Sequence, residues 1–164
     1  MRSRTFPTPT LLFLSLLLLS TVCSAQQAVP PDREGLLKGE GMGQAAYAEG
    51  NGFPGPKHVL DLAKELELTP AQLKGVKAIH AEMESRAKEL GARILRIEGE
   101  LYAGFKENML SERSVRDDAE QIGRLRGRLR ATHLVAHLKT KALLTQTQID
   151  LYKKLRARSE KATH

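Results

Sequence analysis

From Leu73 to Leu101 the chain sets Leu73, Val76, His80, Met83, Ala87, Leu90, Ile94, Ile97 and Leu101 at strictly alternating steps of three and four. Such steps return to one side of an α-helix, so the segment reads as one long rod with a seam of coiled-coil type. Gly75, Gly91 and Gly99 lower helix propensity there without breaking the pattern. A second seam follows: Val115, Ile122, Leu125, Leu129, His133, Ala136 and Leu143 share a face, with Leu134, Leu138 and Ala142 on the other side. A helix that is apolar on two faces needs two partners. The first rod is one, and the short last helix or a second subunit is the other. The first rod should stop near residues 105–107 and the second start at Ser111, which has another serine three positions on.

Both ends of this pair carry the same start signal. Leu68-Thr69-Pro70-Ala71-Gln72 offers Thr69 as N-cap, Pro70 at the first helical position, and Gln72 as the reciprocal partner of a capping box. Leu68 and Leu73 flank it as a hydrophobic staple. Leu144-Thr145-Gln146-Thr147-Gln148 repeats the arrangement, with Thr145 as cap, Gln148 as partner, and Leu144 and Ile149 as staple. Val59, Leu60, Ala63 and Leu66 give residues 57–67 the pattern of a short amphipathic helix, and residues 146–158 form another. The prediction is an all-α chain of four helices, short-long-long-short, with the long pair folded as an antiparallel hairpin. A hairpin has little core of its own, and dimerisation would supply the rest.

The remaining chain bounds where this happens. Arg2 and Arg4 precede the apolar run Leu11 to Leu19, and Cys23-Ser24-Ala25 supplies small residues for cleavage, as in a secretory leader. The run is short of the roughly 20 residues a membrane span needs. Val22 argues against lipidation at Cys23, so cleavage is expected after Ala25. Removing those 25 of 164 residues leaves 139, without cysteine, and lowers the net charge from +7 to +5 because two arginines go and no acid does. No disulfide can then form. Export argues against nucleic acid as a partner and leaves acidic surfaces, unfolded clients or anionic lipid. Residues 26–56 are rich in Gly and Pro and read as a loose N-terminal arm with a brief coil near Gln44 to Glu49. Residues 57–164 make the helical domain. With no Trp, three Tyr and four Phe in the whole chain, the core must be Leu, Ile, Ala and Met, which suits an elongated hairpin and not a deep enzyme pocket.

The paired motif, Leu68/Thr69/Gln72 and Leu144/Thr145/Gln148, resembles the signature of the periplasmic LTxxQ family, which holds the Spy/CpxP-type chaperones and related periplasmic heavy-metal sensors. The resemblance covers roughly residues 41–156. Gly41-Met42-Gly43 and Asn51-Gly52-Phe53-Pro54-Gly55-Pro56 also look like a segment of some relatives, which hints at a docked arm. What the resemblance implies is a hooked helical hairpin that pairs into a curved antiparallel dimer. It further implies ATP-independent binding of unfolded or damaged envelope proteins, or contact with a membrane stress sensor. For the sensors it implies metal binding through His, Glu and Met of the long helices, a ligand set that this chain does not match one for one.

Two residue groups carry these alternatives. His133 and His137, four apart, rise from one helix face, and a hairpin turn near residues 109–110 brings His80 and Met83 to the level of His137. With Glu84 alongside, two imidazoles and a thioether would favour a transition metal (Cu, Ni or Zn) over calcium or magnesium. Alternatively His80 and His133 are seam residues and Met83 fills core. Arg124, Arg126, Arg128 and Arg130 bracket Leu125 and Leu129 from both sides. They form either a solvated basic face or a client-binding surface that joins charge to shallow apolar contact. No nucleophile-base-acid set and no Gly-rich phosphate loop is visible, so no enzyme activity, catalytic residue or required cofactor is expected. The leading reading is a chaperone-like or stress-response binding protein; the alternatives are a heavy-metal binding or sensing protein and a structural protein of the envelope.

Overall fold

The computed structural model describes residues 30–162, with side chains to residue 158. The expected leader and cleavage site fall outside the described residues. Among those described there are six helices and no strand: α1 (Arg33–Lys38), α2 (Ala46–Gly50), α3 (Pro56–Asp61), α4 (Pro70–Lys106), α5 (Glu112–Leu143) and α6 (Gln146–Ala162). The all-α reading holds, and the arm contributes helices beyond the four expected.

The long helices begin and end for local reasons. Thr69 accepts the Gln72 N–H at 3.2 Å while Gln72 Oε1 accepts the Thr69 N–H at 3.0 Å; since Pro70 has no N–H, this satisfies two of the three unpaired donors at the start of α4. Ser111 and Ser114 make the same reciprocal pair at the start of α5, at 3.1 and 3.0 Å. α4 stops because Asn108 takes a left-handed φ of 54°. That turn lets the Met109 N–H reach the Gly104 carbonyl at 2.9 Å and the Asn108 N–H reach that of Phe105 at 3.2 Å, a Schellman ending. The predicted 57–67 helix is shorter than its pattern. After Asp61 the chain tightens into successive turns, and Glu67 adopts a φ of 49° ahead of the Thr69 cap.

α4 and α5 lie against each other in opposite directions, as the cross-pairs Glu98–Arg126 and Glu82–Lys139 require. Their shared core has two clusters. Leu90, Ile94, Ile97, Ile122, Leu125 and Leu129 form the first, together with Ala87 and with Leu36 from α1. Val59, Leu66, Val76, Leu144, Ile149 and Tyr152 form the second, where α3, α4 and α6 meet. His80, Met83, His133 and His137 occupy the interval between them.

The arm is not loose over the described residues. Leu36 is 1% exposed inside the first cluster, Phe53 lies under Lys141 with the ammonium 3.7 Å from the ring centroid, and Arg130 stands over Tyr47. Gly and Pro made this segment read as irregular, yet its few apolar side chains are what cover the hairpin.

Candidate functional site

The two Leu-Thr-x-x-Gln motifs, distant in sequence, meet in space. Thr145 accepts the Gln148 N–H at 3.2 Å and Gln148 Oε1 accepts the Thr145 N–H at 2.9 Å, so α6 carries the same box as α4. Each glutamine then uses its amide nitrogen on the other motif. Gln72 Nε2 donates to Gln148 Oε1 at 2.8 Å and to the Leu143 carbonyl at 2.9 Å. Gln148 Nε2 donates to Gln72 Oε1 at 3.1 Å and to the Leu66 carbonyl at 3.1 Å. The motif is thus a helix start and a clamp in one: threonine holds its own glutamine in place to bond the other copy. Leu68 packs at the edge of the cluster that buries Leu144.

Between the core clusters lies a cleft of about 630 Å³, walled by α4 and α5 on one side and the arm on the other. His80, Met83, His133 and His137 all line it, with Met42, His58 and Glu84. His133 is 3% exposed, and its Nε2 is buried without a hydrogen-bond partner. Burial holds its pKa below the usual histidine value, with a smaller contribution from the charge of His137. His137 Nδ1 donates to the Phe53 carbonyl at 2.7 Å, so in the neutral imidazole Nε2 is the nitrogen with a lone pair. His80 Nδ1 stands 3.9 Å from Glu84. The cleft therefore collects the predicted ligands. Even so, no three His, Cys, Asp or Glu side chains among the described residues converge closely enough to hold a metal ion.

Glu49, which sequence reading passed over, is the polar hub of the arm. Its Oε1 is 3.2 Å from His58 Nδ1, bonds the Tyr152 hydroxyl, and lies 3.8 Å from Arg156 Nε. Its Oε2 accepts the Gly55 N–H at 3.2 Å and faces His137 Nδ1 at 3.6 Å. Burial alone would raise this carboxyl's pKa. The hydrogen bond and charge of His58, then His137 and the Gly55 N–H, outweigh it and bring the pKa below the usual value. Nothing in the local pattern marked Glu49, because all its partners except Gly55 and His58 are on α5 and α6.

The predicted client surface on α5 is not presented as expected. Leu125 and Leu129 are 2% and 1% exposed, buried in the core that α5 shares with α4 and with Leu36 of α1. The arginines around them are engaged: Arg126 with Asp32 at 2.5 and 3.2 Å and with Glu98 at 3.6 Å, Arg124 with Glu120, and Arg130 with the Tyr47 ring. Arg128 instead faces a different groove of about 290 Å³, lined only by α4 and α5, including Ile79, Met83, Arg86, Val135 and Lys139. Beside it Ala131, Val135, Leu138 and Ala142 run as an exposed stripe, with Val135 45% and Leu138 55% exposed. The second apolar face predicted for α5 exists, and α6 does not cover it. Its upper half sits one position away from Leu134, at Val135. The chain matches no protein-family model, no curated protein and no solved structure.

Proposed function

We propose that the protein is an exported, ATP-independent binding protein of the LTxxQ type, which holds apolar segments of unfolded or damaged envelope proteins on the open face of α4 and α5. The hooked hairpin and its pairing with a second copy belong to the same proposal. The observation that carries it is the uncovered stripe of Ala131, Val135, Leu138 and Ala142 beside a groove rimmed by Arg86, Arg128 and Lys139. Isolated exposed apolar residues need no explanation, but a row of them at helical spacing along a groove marks a binding face. The rim suits the task. Lys139 pairs across the helices with Glu82 and Arg86 pairs with Glu89, while Arg128 makes no ion pair among the described residues. A client would gain about 1 kcal/mol from each half-exposed Val or Leu it covers, so single contacts are weak and a chain that begins to fold can leave. Charge at the rim then serves capture more than residence.

The test is suppression of aggregation of a chemically reduced client protein in metal-free buffer. Wild-type protein suppresses it, and Val135→Asp/Leu138→Asp loses the effect while keeping its helical circular dichroism. Suppression unchanged by that double substitution refutes the reading.

A second reading is metal binding at the cleft, favoured by the buried, unpartnered Nε2 of His133 among His80, Met83 and His137. Imidazoles from these three histidines and the Met83 thioether fit Cu, Ni or Zn, and such an ion would draw ligands that now face the cleft separately. Calorimetric titration of dialysed protein decides it. Affinity tighter than tens of micromolar that is lost in His133→Ala/His137→Ala supports the reading, and its absence in wild type removes it.

A further inference from the structure

We propose that the seat beneath α1 is a second binding site, built for amphipathic segments that carry an acidic residue and, one helical turn later, a leucine, and kept occupied in the free protein by the chain's own residues 32–39. This goes beyond the open-face reading and does not depend on it.

The seat has three recognition elements. Ala87, Leu90, Ile94, Leu125 and Leu129 make an apolar socket, filled by Leu36. At its rim Arg126, steadied by Glu98, takes both carboxylate oxygens of Asp32. A bidentate guanidinium–carboxylate pair fixes orientation as well as charge. Between them Gly91 lets a main chain come down onto α4: a Cβ there would lie 2.2 Å from the Leu36 carbonyl oxygen. A socket, a fork and a bare stretch of helix read a pattern, not a particular sequence.

α1 occupies the seat without being locked into it. It has six residues and no side-chain bond at its N-cap, far below the length at which a helix persists alone. Arg33, Glu34, Leu37 and Lys38 are exposed and make no bond to the seat. The chain leaves it through Gly39, Met42 and Gly43, all with positive φ, so the exit is a sharp turn held mostly by glycine. A client segment with Asp and Leu four apart makes the same three contacts and competes on equal terms once its local concentration is high. The basic-apolar surface at Arg126, Leu125 and Leu129 is then a latent site.

The probe is a fluorescein-labelled, end-capped peptide of residues 30–40, followed by anisotropy on mature full-length protein. In Leu36→Asp the chain's own segment no longer holds the seat, and the peptide should bind at least tenfold tighter than to wild type. Adding Gly91→Ala should abolish that gain, and a peptide carrying lysine in place of Asp32 should lose at least tenfold. Equal binding to wild type and Leu36→Asp, or binding indifferent to Gly91→Ala, overturns the proposal. Asp32→Lys gives the same opening at a half-exposed position, so the comparison survives if Leu36→Asp does not fold. Val135→Asp/Leu138→Asp should leave peptide binding to the opened protein unchanged while abolishing client protection, which separates failure here from failure of the open-face reading.

Discussion

Gln72→Ala removes one half of the clamp between the two motifs. The lost side chain accepts from Thr69, donates to the Leu143 carbonyl, and shares two reciprocal amide bonds with Gln148. Net, each bond of this kind contributes about 0.5–1.5 kcal/mol, and these lie at a half-exposed site where water replaces part of what is lost. The single substitution should therefore cost about 2 kcal/mol, and Gln148→Ala about the same for the same reasons. Because the two share a pair of bonds, the double variant should lose less than the sum, with a coupling of about 1 kcal/mol. At about 2–4 °C per kcal/mol for a chain of this size, each single change lowers Tm by about 4–8 °C. Thermal and urea melts of the four proteins of the cycle give all three numbers. Additivity to within about 0.3 kcal/mol would refute the clamp and reduce the motifs to two independent helix starts.

Thr69→Ala and Thr145→Ala should each cost about 1 kcal/mol by urea titration, and Thr→Ser at either position should recover most of it, since the hydroxyl is the accepting group. Leu129→Asp puts a charge in the core and should abolish the cooperative melt, a loss out of reach for any single arginine substitution on α5. Stability should fall on acidification. The Glu49 pKa is lowered in the fold, so its contribution is complete above the ordinary carboxylate range and is lost as pH drops through the folded value. His133 is lowered as well, so the unfolded chain takes up more protons below about pH 6.5 and stability declines in the same direction. Melts from pH 7.5 to 4 should show a monotonic loss that His133→Gln makes shallower near pH 6 and Glu49→Gln makes shallower at the acid end; a rise in Tm on acidification contradicts the assignment.

The long helices were legible because their evidence is local. A strict three-four alternation from Leu73 to Leu101 and a cap at Thr69 need no tertiary partner to be read. The clamp was half legible: Gln72 and Gln148 were visible as capping partners, while their second use, on each other, depends on α6 returning to the start of α4. Leu125 and Leu129 were legible as one stripe, but a stripe does not say whether a client or the chain itself covers it. What covered them was α4 together with Leu36, which comes from a segment whose glycines and prolines hid its buried apolar side chains. Glu49 was invisible for the same reason, since its meaning comes from His137, Tyr152 and Arg156, far along the chain. The histidines lay on the predicted faces, and their grouping around one cleft followed from the register of two opposed rods.

Photocrosslinking tests most directly whether the open face receives unfolded chains. Benzoylphenylalanine at position 138, on the exposed stripe, should form adducts with a reduced client in metal-free buffer, whereas the same probe at the exposed position 113 near the start of α5 should form almost none. Equal yields at the two positions, or no adduct at 138 while aggregation is still suppressed, would contradict the account.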